Sequence, residues 1–147
     1  MRKTILLATA GLAAMLMSAG WRTDFATAKT DAKRDNKLIL LKFSGSDWCL
    51  PCIKMEKEVF AEDSFRKFAD AHLEMVNADF PRLKKNKLDK AIERQNESLA
   101  EQYDKEGHFP YTVLLNADGK VLKTWDGYKG EKPGELIQQI SAYGGGN

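Results

Sequence analysis

The run Leu38-Ile39-Leu40-Leu41-Lys42-Phe43 is apolar at every position but one. A strand with one face in water alternates apolar and polar residues, so a run without that alternation suits a central strand covered on both faces. Such a strand needs helices on each side of its sheet, and the flanking sequence offers them. Thr23 or Asp24 is placed to cap a first helix running to about Arg34, with Phe25, Ala28 and Ala32 near one face. Asp35-Asn36 breaks it. After the strand, Ser44-Gly45-Ser46-Asp47 reads as a loop, and a helix is expected from about residue 49 to 60, with Pro51 tolerable in its first turn. Ser64 is expected to cap a short helix to about residue 71, and residues 73–78 read as a second strand.

A basic connector, 81–87, contains Arg-Leu-Lys-Lys-Asn-Lys. The helix after it carries Leu88, Ile92, Leu99 and Tyr103 at helical spacing and ends at Gly107. Residues 111–115 form a third strand, Asn116-Ala117-Asp118-Gly119 a turn, and 120–125 a fourth strand. Pro133 opens a last helix with Leu136, Ile140 and Tyr143 on one face. The order α-β-α-α-β-α-β-β-α predicts an α/β fold with a central mixed sheet flanked by helices.

The chain begins with Met1-Arg2-Lys3 and an uncharged stretch from Ile5 to Ala19, followed by Gly20. A short basic start, an apolar run too short to cross a bilayer and small residues at its end are the marks of a secretory signal peptide, residues 1–20. Cleavage after Ala19 and cleavage after Gly20 are both compatible with the small residues there. The alternative is an uncleaved membrane anchor; a lipoprotein anchor is excluded because no cysteine lies near the boundary. The expected mature chain, 21–147, is one domain of about 127 residues, enough for a single core. It holds 21 basic and 21 acidic residues, so its net charge supports neither nucleic acid nor an anionic membrane as partner.

Both cysteines of the chain fall within Trp48-Cys49-Leu50-Pro51-Cys52. Two cysteines exclude a four-cysteine zinc site, an iron–sulfur cluster and a multi-disulfide scaffold. At a strand–loop–helix junction, Cys49 falls at a helix N-terminus, where unpaired N–H groups and the macrodipole favour a thiolate. Cys52, one turn on, is close enough to attack a mixed disulfide on Cys49. Cys49 is therefore the expected attacking thiol and Cys52 the resolving one. Trp48 can shield the sulfur and offer a substrate an apolar surface, and Pro51 stiffens the turn. A c-type haem site would need histidine where Ile53 stands, and zinc would need two further ligands from His72 and His108, which show no recognisable spacing. A purely structural disulfide closes too small a loop to stabilise much. Export would place the pair in an oxidising compartment, where a disulfide persists.

Over about residues 24–143 the chain resembles the thioredoxin family. The residues that carry the resemblance are the apolar strand 38–43, Trp48-Cys49-Leu50-Pro51-Cys52, Phe109-Pro110-Tyr111-Thr112 leading into a strand, the hairpin ending near Gly127 and the terminal helix. Lys54-Met55-Glu56-Lys57-Glu58-Val59-Phe60 is similar to the exported branch that includes thiol-reducing domains of the bacterial envelope. The resemblance implies a thioredoxin-like fold and a periplasmic or secreted thiol–disulfide oxidoreductase with no bound cofactor. Its partners would be proteins carrying disulfides or thiols and an upstream thiol–disulfide electron donor or acceptor, with no stable membrane insertion after signal cleavage. It also implies a cis Pro110 facing the cysteines, beside a backbone at Phe109 free to pair with a substrate strand. Reduction is the favoured direction. A disulfide isomerase or oxidase of the same fold and a non-catalytic polypeptide-binding module are the alternatives. The sequence departs from the family's pattern at Lys42, about where many thioredoxins bury an aspartate, at Leu50 in place of glycine, in a longer loop 45–47, and in the stretch 81–98.

Glu56, four residues after Cys52, shares its helix face. It is a candidate proton acceptor for the resolving thiol or a like charge that raises a thiol pKa, against the reading of a solvated carboxylate. Asp47 is expected to bond to backbone, and His108 to lie on the surface. Phe43, Phe65, Phe68 and Trp125 are core candidates. The basic run 82–90 reads as a solvated face in preference to a docking patch. Trp21 takes no role from the sequence.

Overall fold

The computed structural model describes residues 20–144, so the expected signal peptide lies outside the described residues except for Gly20. The strands are β1 (Leu38–Ser44), β2 (Leu73–Asp79), β3 (Tyr111–Leu115) and β4 (Val121–Asp126), and they lie in the order β2-β1-β3-β4. β1 pairs in parallel with β2 and antiparallel with β3, giving the mixed sheet the sequence predicts. The helices are α1 (Phe25–Asp35), α2 (Leu50–Met55), α3 (Asp63–His72), α4 (Lys90–Tyr103) and α5 (Pro133–Ser141).

β1 is buried on both faces. Ile39, Leu41 and Phe43 point to one side, into a core with Ala28 and Ala32 of α1 and Leu99 of α4. Leu40 points to the other, into a core with Met55 of α2, Phe65 and Ala69 of α3, and Leu136 and Ile140 of α5. Phe43, Phe65 and Trp125 belong to the core, while Phe68 packs on it part-buried.

Several boundaries differ from expectation for local reasons. The helix expected from 49 to 60 is α-helical only to Met55; Glu56–Phe60 winds as a π turn, with the Ala61 N–H donating to the Glu56 carbonyl at 2.8 Å. The slacker winding lets two consecutive large side chains, Val59 and Phe60, enter the core together. Ser64 does not cap α3. The cap position lies two residues earlier, at Glu62, whose carbonyl is the first in the helix, and the acidic Asp63 occupies the first turn. Leu88 precedes α4, whose cap position is Asp89. α4 ends at Tyr103, well before Gly107, because the chain turns at Asp104, whose carboxylate accepts the His108 N–H. Gly107, with φ of 69°, completes that turn.

Ahead of α1, Arg22 adds a single parallel bridge beside β2: its N–H donates to Met75 and its carbonyl accepts from Asn77. Asp24, not Thr23, caps α1 through the Thr27 N–H at 2.9 Å. Asp24→Ala is therefore expected to cost about 1 kcal/mol of stability. Ser64→Ala, at an exposed residue that caps nothing, should stay within about 0.5 kcal/mol of wild type. Urea unfolding of the two variants checks the difference.

Candidate active site

β1 delivers the chain to Ser44 at the end of the sheet, and a tight loop carries it to the cysteines. The loop is tied to the segment leaving the neighbouring parallel strand. The Phe80 N–H donates to the Ser44 carbonyl, and the Ser46 N–H and hydroxyl donate to the Asp79 carboxylate at 2.9 and 2.5 Å. Asp47 bonds to backbone as expected, but across a span of 35 residues. It accepts the N–H groups of Arg82 and Leu83 at 2.9 and 3.0 Å and the Asn86 amide at 3.0 Å. These bonds, the Arg82 one foremost, hold its pKa below the usual carboxylate range.

Trp48 stands on this platform. Its indole N–H donates to the Phe80 carbonyl at 2.7 Å, and its ring meets Phe109 edge-on at 5.5 Å. The Arg82 guanidinium lies 3.7 Å from the ring centre on its face. The ring also packs directly on Gly45, where an added Cβ would come within 2.3 Å of it. That close approach requires glycine at 45.

Cys49 is the N-cap of α2 and is disulfide-bonded to Cys52, with Cα atoms 5.2 Å apart. The Cys49 sulfur accepts the Cys52 N–H at 3.3 Å, which places it on an unpaired donor of the first turn. Both cysteines are buried, while Leu50 between them is 77% exposed. Pro51 sits in the first turn, where its missing N–H costs nothing. Across the site, the Phe109–Pro110 peptide bond is cis. Pro110 is buried and its carbonyl accepts from Gly127. Neither the N–H nor the C=O of Phe109 enters the β3 ladder or a turn among the described residues.

Glu56 is not a free solvated carboxylate. The Lys42 ammonium lies 2.6 Å from one oxygen, and the Trp21 indole N–H reaches both at 3.0 and 3.1 Å. Lys42 shares the β1 face of Leu40, so alternation alone aims it into the core, where it is 3% exposed. Trp21 covers the pair, its ring 4.1 Å from the ammonium and edge-on to Phe60 at 5.0 Å. Burial pushes the Lys42 pKa down, and Glu56 opposes that shift. The pair lines a cleft of about 500 Å³ together with Trp21, Cys52 and Ile53. Sequence reasoning left Trp21 without a role. The available signal was Lys42 itself, the one cation in the apolar run, which calls for a carboxylate partner.

His108 is a surface residue as expected, half exposed and 2.9 Å from Asp126. Among the described residues no cluster of histidine, cysteine and carboxylate side chains could hold a metal, and no helix is long and apolar enough to cross a membrane.

Residues 25–143 match the thioredoxin-like domain family, and the chain belongs to it. Among its relatives is the disulfide bond reductase DsbH of Chlamydia pneumoniae, 42% identical over 98 residues, covering 67% of this chain and 57% of that protein. The thioredoxin-related protein DsbJ of the same organism is 31% identical over 102 residues, covering 69% of this chain and 28% of that one. The chain thus spans less than two thirds of either. A solved structure described as DsbH oxidoreductase superposes with a TM-score of 0.76 at 33% identity, covering 96% of this chain and 93% of that one.

The Lys42–Glu56 pair yields a test with a defined sign. Burial holds the folded-state Lys42 pKa below its ordinary 10.5, so between the two values the unfolded chain binds more protons and stability from this site rises with pH. Glu56→Gln strands the ammonium and is expected to cost about 1–3 kcal/mol near neutral pH. The deficit should shrink as pH approaches 10.5, where the lysine is losing its proton in both states. Urea unfolding of wild type and variant at neutral and alkaline pH measures it.

Proposed function

We propose that the chain is an exported protein thiol–disulfide oxidoreductase that works chiefly as a reductase. The observation that carries this is the Cys49–Cys52 pair closing the first turn of a helix, with the Cys49 sulfur on the Cys52 N–H. In the dithiol form, the same N–H and the helix N-terminus favour a thiolate at Cys49. That thiolate attacks one sulfur of a client disulfide. A Cys49–client bond forms, the client S–S bond breaks, and the departing client sulfur takes a proton. The Cys52 thiolate then attacks the Cys49 sulfur, re-forms the Cys49–Cys52 bond and releases the second client sulfur as a thiol. Two electrons pass from the chain to the client, and a dithiol donor protein restores the reduced pair. No bound cofactor enters these steps.

Trp48, Phe109 and Pro110 form the client-binding surface in this reading. The unengaged N–H and C=O of Phe109 support strand-like pairing with an extended client segment. Pro51 restrains the turn that holds Cys49 at the helix start. Glu56 tunes the pair from one turn beyond Cys52, with its charge offset by Lys42. The reductive direction is supported by the likeness to a protein named as a disulfide bond reductase. The periplasmic or secreted location rests on residues 1–20 read as a signal peptide.

Cys52→Ser should accumulate mixed disulfides between Cys49 and client proteins, because attack remains and resolution is lost. Cys49→Ser should trap little. Equal trapping by both on a non-reducing gel would reverse or abolish the division of roles, and no trapping by either would favour the binding-module alternative. The exported protein should begin at residue 20 or 21 by intact mass; retention of Met1 on a membrane-bound form would replace the signal peptide with an anchor.

A further inference from the structure

The basic connector between β2 and α4 is held against the reactive loop. Asp47 fixes its backbone at Arg82 and Leu83 and its side chain at Asn86. Residues 84–86 form a 3-10 turn, and the Asn96 amide secures the preceding Asp79 carbonyl. Four cations stand on this short segment: Arg82, Lys84, Lys85 and Lys87, all exposed. Among the described residues, none of the four pairs with a carboxylate. Asp47, the acid beneath them, is already committed to N–H donors, and the one acid that follows closely is Asp89.

Arg82 lies on the face of Trp48, the residue before Cys49, so its N–H edge stays open to an anion. Beyond the tip of the site, Lys54 and Lys129 flank the exposed Leu50 and Pro51. The acids there are engaged: Glu58 accepts the Tyr128 hydroxyl and Glu131 the Lys129 N–H.

We propose that the connector 81–87 is a second recognition surface, which selects protein clients carrying an acidic segment beside the reactive disulfide. The proposal rests on the oxidoreductase reading above. An extended client advances about 3.3–3.6 Å per residue. Asn86 is bonded to Asp47, two residues before Cys49, so carboxylates within about five positions of the client cysteine can reach Lys84 to Lys87 while that cysteine meets Cys49. Because the segment is braced, its charges are already in place when the client arrives. The gain appears in the rate of encounter and fades with salt.

The test uses the reduced protein and two synthetic peptides, each with one intramolecular disulfide, identical except for four glutamates or four glutamines flanking the cysteines. At low salt the glutamate peptide should be reduced about tenfold faster, and the preference should vanish near 1 M salt, where screening acts over about 3 Å. Replacing Lys84, Lys85 and Lys87 together by Gln should bring the glutamate peptide to the glutamine rate and leave the glutamine rate unchanged. Replacing the same three by Glu should turn the preference toward a lysine-flanked peptide. Equal rates for both peptides at low salt, or a preference that survives the triple Gln variant, would overturn the proposal. So would equal peptide rates combined with sedimentation on phosphatidylglycerol vesicles that the triple Gln variant loses, which would assign the surface to a membrane. If neither peptide is reduced at any salt, the oxidoreductase reading fails and this inference falls with it.

Discussion

A strand with no face in water can meet a partner only at its ends, and that constraint on β1 organises the molecule. Helices α1 and α4 cover one side of the sheet and α2, α3 and α5 the other, so side chains along β1 are committed to packing. The parallel neighbour β2 ends at the same edge as β1, and their exits are tied together through Ser44, Ser46, Asp47 and Asp79. Residues with chemistry accumulate where the strands run out, beyond the carboxyl ends of the parallel pair. Trp48 and Phe109 meet there, one residue from Cys49.

One residue resists that logic. Lys42 belongs to the buried strand yet carries a charge. A buried cation is tolerable only with a well-placed partner, and replacing such a pair by apolar residues often stabilises a protein. Glu56 and Trp21 supply that partner and its cover, in a cleft that Cys52 also lines. Stability alone is a poor reason to place charge there. In the activity proposed above, the pair places a compensated charge in the cleft of the inner cysteine.

The parts legible in the sequence were those written in local patterns. The run 38–43, the hairpin over Asn116–Gly119 and the closely spaced cysteines each declare themselves within a few residues, and the sheet is mixed as the element order implies. Ser64 misled because a good capping residue at the second position of a helix looks like one just before it. The π turn was hidden because Val59 keeps an ordinary helical spacing from Cys52 and Met55, and Phe60 keeps one from Cys52. The Trp21–Glu56 and Asp47–Arg82 contacts each join residues 35 apart, and no periodicity reports such a meeting. The connector 81–87 looked like any solvated basic stretch; its place beside Trp48 is set by Asp47, which sequence inspection could match only to an unspecified backbone.

The segment around Trp21 and Arg22 also carries a consequence for the order of assembly. Synthesis delivers these residues early, but the β2 edge they join is more than fifty residues further on. Closing so long a loop has to wait for β2 to be made, and it costs more chain entropy than pairing nearby segments. The lid over the charged pair is thus made well before the strand edge that seats it. Until it closes, Lys42 and Glu56 remain open to water, and the nascent molecule can form its sheet before it has to accept a sequestered ion pair.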